Sequence, residues 1–218
     1  MAYGLIAPEI ARNEAKTCSD SACHRTRDRV SGYCKMHTQA RYLYGHPRGR
    51  RLAPREYAPE AREAAAFIRE HQDHPAINAA LGWLSEWLQG AWMGNTTMPA
   101  VKDMQRLYGH NVSTLSVLTE VVAVWLYSVR SPNSLPDDMR LTYALSLAVL
   151  ALAPQETRPS LRNPEKTNQK RYSAAARREI GEHLRKHLAP LIVNMSNTIR
   201  QHEEQAKVQH AALRTQFM

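Results

Sequence analysis

The chain has 218 residues, 43% of them hydrophobic and 22% charged, enough for one sizeable core plus a small satellite module. No basic start followed by an apolar run opens it, and its most apolar windows, 111–130 and 139–152, either contain Glu120 or are too short to span a bilayer. A secreted or membrane-spanning protein is therefore not expected, and a soluble, cytoplasmic one is. The formal charge of +9 is unevenly spread: residues 1–56 carry a net +6, 57–156 a net −4, 157–187 another +6 and 188–218 a net +1. Two basic blocks around a mildly acidic middle suit a polyanionic partner, because neutralising phosphates releases condensed counterions.

In chain order, the first informative stretch is CSDSACHRTRDRVSGYCKMH, residues 18–37, which holds all three cysteines. An odd number of thiols cannot pair off completely, and the surrounding residues are too polar to bury them. The spacing Cys18-x4-Cys23-x10-Cys34-x2-His37 instead supplies three thiolates and an imidazole, a Cys3His set that suits tetrahedral zinc. Asp20-Ser21 and Ser31-Gly32 provide turn chemistry between the ligands. Arg25, Arg27, Arg29 and Lys35 offset the −1 charge of such a centre. His24 could stand in for Cys23 but reads better as loop surface, and His46 reads as a capping or phosphate-facing residue. A short helix follows in KMHTQARYLYGHP, with Gly45 in the left-handed position past its end and Pro47 forbidding continuation.

Gly32-Tyr33-Cys34, His37, Arg41 and Gly45-His46-Pro47, on the C-x4-C-x10-C-x2-H frame, resemble a short zinc-finger module of bacteriophages and other mobile elements. The resemblance covers about residues 16–48, with Ala22-Cys23 where the module often has Gly-Cys. It implies Cys18, Cys23, Cys34 and His37 as zinc ligands and a bacterial host cell as the setting. Some members accompany HNH-type endonucleases, but the resemblance does not extend to nuclease activity.

RGRRLAPREY, residues 48–57, reads either as a phosphate-contacting arm or as a linker, since arginine forks match phosphate oxygens. Beyond it, helices are expected over 59–72, 75–93, 98–108, 111–130 and 137–152. In the second of these, Ile77, Leu81, Leu84, Leu88 and Trp92 fall at helical spacing. Trp83 and Trp87 could pack in a core or stack on bases. Asn111 or Ser113 is placed to cap the fourth, and Asp137-Asp138 to start the fifth. The pair 98–108 and 111–130 could form a helix-turn-helix reader, but its second helix is apolar nearly all round, so a buried hairpin is expected. Pro154, Pro159 and Pro164 break the chain. A helix after Ser173 sets Arg177, Arg178, Arg185 and Lys186 against Ile180, Leu184 and Leu188, as a docked helix with a cationic side would. Beyond Pro190, residues 191–217 read as one long helix. Ile192, Ile199, Ala206 and Leu213 recur every seven residues, but polar companions argue against a full coiled coil.

The fold expected is mainly α: a zinc-binding module with a basic arm (1–56), a helical core (57–153), and a basic linker with C-terminal helices packing on that core (154–218). No catalytic constellation stands out. The pairs His71/His74 and His183/His187 lie outside any HExxH motif and read as exposed. No strand hairpin of the HNH type is evident, and no tyrosine follows Tyr172. The expected function is therefore non-enzymatic nucleic-acid binding, of DNA ahead of RNA. Arg41, Arg48, Arg50, Arg51, Arg177 and Arg178 would contact phosphates, and Tyr42 and Tyr44 would stack or bond. The alternative is a protein–protein adaptor with a purely structural finger, holding a host or phage factor or a second copy through its C-terminal helix. A nuclease accessory is a third reading.

Overall fold

The computed structural model describes residues 6–90, 98–154, 157–159, 167–169 and 173–216. They form α1 (Ile6–Glu14), α2 (Lys35–Tyr44), α3 (Ala58–Glu70), α4 (Pro75–Gln89), α5 (Met98–Gly109), α6 (Thr114–Arg130) and α7 (Asp138–Leu150). An antiparallel pair follows, β1 (Thr157–Pro159) and β2 (Thr167–Gln169), and then α8 (Ala174–Gln216). The protein is mainly helical, with a Cys3His cluster near its amino end and a long C-terminal helix.

Helix α6 is the centre of the body. Val117, Leu118, Val121, Val122, Ala123, Val124 and Leu126 are all buried, and α3, α4, α7 and α8 pack on it. Each such side chain taken fully out of water contributes about 1.5–3 kcal/mol. The central hairpin is thus largely buried, as expected: α5 and α6 meet at a 119° bend, and most of the second helix is core, with Leu115, Ser116 and Val129 exposed near its ends. Ser113 caps α6 by accepting from the Ser116 N–H at 3.0 Å, while Asn111 takes a left-handed turn conformation with φ 54°. Asp137 caps α7 through the Arg140 N–H at 2.8 Å. Among the described residues no single helix is long and apolar enough to cross a membrane.

Several elements depart from expectation. Helix α1 lies where none was expected; its Pro8 sits in the first turn, where no helical N–H is required. Helix α4 ends at Gly90, whose φ of 75° stops the helix four residues early, and Trp92 lies outside the described residues. The 154–173 segment is not linker throughout, because Thr157 pairs with Gln169 and Pro159 with Thr167. The side chains of its basic residues, Arg158, Arg162, Lys166, Lys170 and Arg171, lie outside those described. Finally, α8 runs straight through Pro190. The proline removes the N–H that would serve the Lys186 carbonyl. Both residues are exposed, so water can take its place, while Leu188 and Ile192 are buried on either side. Ile192, Met195 and Ile199 make the long helix's apolar stripe an internal contact; the side chains of Ala206 and Leu213 lie outside those described.

Trp87 is fully buried and Trp83 packs beside it, ring centroids 6.0 Å apart, so this strip is core. His74 and His187 are exposed as expected, but His71 and His183 are half-buried. His74 caps α4, His71 stacks on Phe67 at 4.2 Å, and His187 stacks on Trp83 at 4.7 Å. Buried Arg106 carries a role that the sequence pattern did not suggest. Its guanidinium donates to the Leu150 and Ala153 carbonyls, both at 3.0 Å, and to Pro154, closing the negative end of α7.

The core cluster runs from Tyr57 to Ile199 and includes no residue of the amino-terminal module. Tyr57, the last residue of the arginine-rich arm, is its anchor: the hydroxyl donates to Glu120 Oε1 at 2.5 Å, and burial pushes both groups up from their ordinary pKa. A fragment of residues 57–218 is therefore expected to keep its helical circular-dichroism spectrum and a cooperative thermal transition. A coil spectrum from that fragment would show that the module is part of the folding unit.

Candidate metal centre and the arginines around it

The four ligand atoms of Cys18, Cys23, Cys34 and His37 lie within 4.8 Å of one another. Cys18 Sγ is 3.3 Å from His37 Nδ1, and Cys23 Sγ is 3.8 Å from Cys34 Sγ. Local backbone bonds build this arrangement. The Cys18 N–H donates to the Arg25 carbonyl at 2.8 Å and the Cys23 N–H to the Asp20 carbonyl at 2.9 Å, closing the first knuckle. Cys34 is the N-cap residue of α2 and His37 lies in its first turn, so one helix start delivers both second-pair ligands. The Cys34 N–H also donates to Cys18 Sγ at 3.3 Å.

Burial works to raise the Cys18 thiol, but N–H donors at Asp20 and Cys34, with His37, bring it down to about 6. At Cys23 the Arg25 N–H works downward, yet burial and the two neighbouring thiols leave it raised. An isolated trio of sulfurs this close resists full ionisation, and a bound cation removes that resistance. The cluster can hold a metal ion. His24 is exposed and outside it.

Helix α1 braces the loop between the ligand pairs. Asn13 Nδ2 donates to the Arg29 carbonyl at 2.7 Å and to that of Ser31 at 2.8 Å, and the Arg29 N–H donates to Glu14 at 3.2 Å. These contacts hold Arg29 at φ 48°, a conformation few non-glycine residues adopt. Arg27, expected simply to offset charge, also ties the loop by donating to the Thr17 carbonyl at 2.9 Å.

The candidate phosphate-contacting residues divide into two groups. Arg41, Tyr42, Arg51 and Arg178 are exposed; Arg41 lies over the Tyr33 ring at 5.5 Å and Arg178 pairs with Glu182 at 3.6 Å. Arg48, Arg50 and Arg177 hold structure. Arg48 donates from Nε and Nη2 to the buried carboxylate of Asp20, both at 2.5 Å, and this partner draws the Asp20 pKa down to about 2. Arg50 grips Glu56 through both Nη atoms, drawing that carboxyl to about 2 as well. Both still present half or more of their side chains to solvent. Arg177 is the correction: only 4% exposed, it donates to the Leu43 carbonyl at 3.2 Å. An arginine set beneath the end of α2 is a brace and not a surface contact. Tyr44 is half-buried.

Several contacts dock the module on the body, the packing of Leu52 against the core among them. Besides Arg177 on Leu43, Arg140 of α7 donates to His46 Nδ1 at 2.7 Å, an atom that also accepts the Arg48 N–H at 3.0 Å. Burial and the Arg140 charge lower the His46 pKa, keeping the imidazole a neutral acceptor. At Gly45, φ 75°, a Cβ would fall 2.5 Å from the Tyr143 ring, so this position must lack a side chain on two counts. Arg140 had no signal in the sequence, since its partner lies 94 residues away.

Comparison with protein-family models, with curated proteins and with solved structures finds no match to this chain.

Proposed function

We propose that Cys18, Cys23, Cys34 and His37 bind zinc, and that the protein is a non-enzymatic nucleic-acid-binding protein, for DNA in the first place, of a phage or related mobile element. Zinc–sulfur bonds of about 2.3 Å and zinc–nitrogen bonds of about 2.0 Å give tetrahedron edges of about 3.8 Å and 3.5 Å, against 3.8 Å for Cys23–Cys34 and 3.3 Å for Cys18–His37 here, with all four ligand atoms within 4.8 Å. Three sulfurs and an imidazole also disfavour magnesium and calcium, which take oxygen ligands. The resemblance of residues 16–48 to the mobile-element module points the same way.

The observation that carries the nucleic-acid reading is the Arg177–Leu43 bond. It brings the start of α8, the described part of the second basic block, to the end of the helix that the first block builds, so parts of the chain separated by more than a hundred residues meet at one junction. Arg178 follows Arg177 on the same helix and is exposed, as are Arg41 and Tyr42 on the module. Guanidinium groups favour phosphate even where, as at Arg48, Arg50 and Arg178, a carboxylate holds part of the fork, and phosphate contacts of this kind position a strand without reading its bases.

Duplex binding is expected to weaken steeply with salt. An Arg41→Gln/Arg51→Gln/Arg178→Gln variant, which spares the structural pairs of Arg48 and Arg50, is expected to flatten the slope of log affinity on log salt by up to about 2.7, about 0.9 per lost phosphate contact. A fluorescence-anisotropy titration at several ionic strengths measures it. No binding at low salt would sink this reading. That outcome would favour the adaptor, for which the open apolar groove of about 360 Å³ between α4 and α8, walled by Trp83, His187 and Leu191, is the supporting feature.

A further inference from the structure

A cleft of about 270 Å³ lies where the arginine-rich arm crosses α7. Arg48 and Arg50 approach it from the arm and Arg140 from the body, with Tyr44, Tyr143 and Ser134 also in the lining; the Tyr143 hydroxyl donates to the Ala174 carbonyl and Ser134 accepts from Tyr127, both at 3.2 Å. None of the described residues that line it is acidic. The carboxylates that steady these arginines, Asp20, Glu56 and Asp137, stand outside the lining and grip only part of each guanidinium. Every guanidinium has five N–H donors, so each fork is fixed in direction with donors to spare. Arg140 is the telling member. It belongs to the acidic middle of the chain, its side chain is only 17% exposed, and its Nη2 meets a neutral imidazole in place of a second carboxylate.

We infer that this cleft binds a single phosphate group, taken either as free phosphate or a phosphomonoester, or as one backbone phosphate of a strand crossing the junction. A tetrahedral oxyanion offers several acceptors to forks arriving from two sides. The carboxylate partners already balance the three cations, so the phosphate is held by charge-assisted hydrogen bonds from the donors those carboxylates leave over. The volume accommodates one phosphate with its bridging waters, and the tyrosine walls leave room for what the phosphate carries. The backbone source rests on the nucleic-acid reading; the cleft itself does not.

The test uses the full-length, metal-loaded chain. Calorimetric titrations with inorganic phosphate and with thymidine 5′-monophosphate are expected to saturate at one site, and Arg140→Gln is expected to weaken binding by about tenfold or more. Arg140→Lys, which keeps the charge but loses the fork, should fall between. Because Arg140 also steadies α7, the guanidinium Nε–H resonances of wild-type protein serve as the second readout, and those of Arg48 and Arg140 should shift on adding phosphate. No saturable heat with unmoved resonances, or undiminished binding by Arg140→Gln, overturns the inference, and retained duplex binding alongside that failure leaves the nucleic-acid reading intact. Phosphate binding with duplex affinity also lowered in Arg140→Gln assigns the site to a backbone phosphate. Phosphate binding with duplex affinity unchanged, or with no duplex binding at all, assigns it to the free ligand.

Discussion

Cys34→Ser is expected to reduce bound zinc from one ion per chain to near none and to leave residues 16–48 without fixed structure, while the helical body persists. Among described residues 6–48 only Cys18, Asp20 and Cys34 are buried, so the module has no apolar core of its own, and the ligands are what its chain condenses around. In such modules the metal's binding energy, about 10–16 kcal/mol in apparent terms, is the folding energy. Serine cannot take over, since its hydroxyl does not ionise at neutral pH and is a harder, shorter donor than a thiolate. The substitution keeps the backbone N–H that donates to Cys18 Sγ and puts a favoured N-cap residue at the start of α2, so the loss traces to the missing ligand. Loss should spread outward through the Asp20–Arg48 pair to the arm, and through Leu43 to the brace at Arg177. Metal analysis of the purified variant, with amide hydrogen exchange resolved over 16–48 against α6, measures both halves. Full zinc content in Cys34→Ser would refute the ligand assignment.

What could be read from the sequence was whatever depends on near neighbours. The four ligands announce themselves because metal geometry restricts spacing, and Gly45 marks a helix end because few other residues take its conformation. Helix α6 reads as core because it has no polar face to spare. What could not be read depends on partners that arrive only with the fold. Arg41, Arg140 and Arg177 look alike in sequence, yet one is solvated, one lines a cleft and one is a buried brace. The continuity of α8 through Pro190 depends on Leu188 and Ile192 having somewhere to bury. Helix α1 is invisible as a helix until the loop it braces is in place.

The same dependence on tertiary partners yields the largest expected effect in the body, at Gly181. This residue is buried in α8 where it crosses α7, and a Cβ there would lie 2.0 Å from the Thr142 carbonyl oxygen and 2.7 Å from its carbon. Those are backbone atoms of a packed helix and cannot swing aside as a side chain would. Gly181→Ala must push the two helices apart by more than an ångström, loosening Leu145, Ile180 and Leu184, all buried beside the crossing. Propensity acts the other way, since alanine is favoured over glycine within a helix by about 1 kcal/mol. Overpacking against backbone outweighs it, and a net loss of about 3 kcal/mol is expected, or about 10 °C in melting temperature for a chain of this size. Gly82→Ala provides the opposite case in the same protein. Gly82 is an exposed interior residue of α4 with nothing within 4 Å of its would-be Cβ, so only propensity acts, and a gain of about 0.5–1 kcal/mol is expected. Urea denaturation of the two variants beside the wild type measures the contrast. A Gly181→Ala protein as stable as Gly82→Ala would mean that α7 and α8 do not approach at this point, and the seat of Arg140 and Arg177 beneath the module would fall with it.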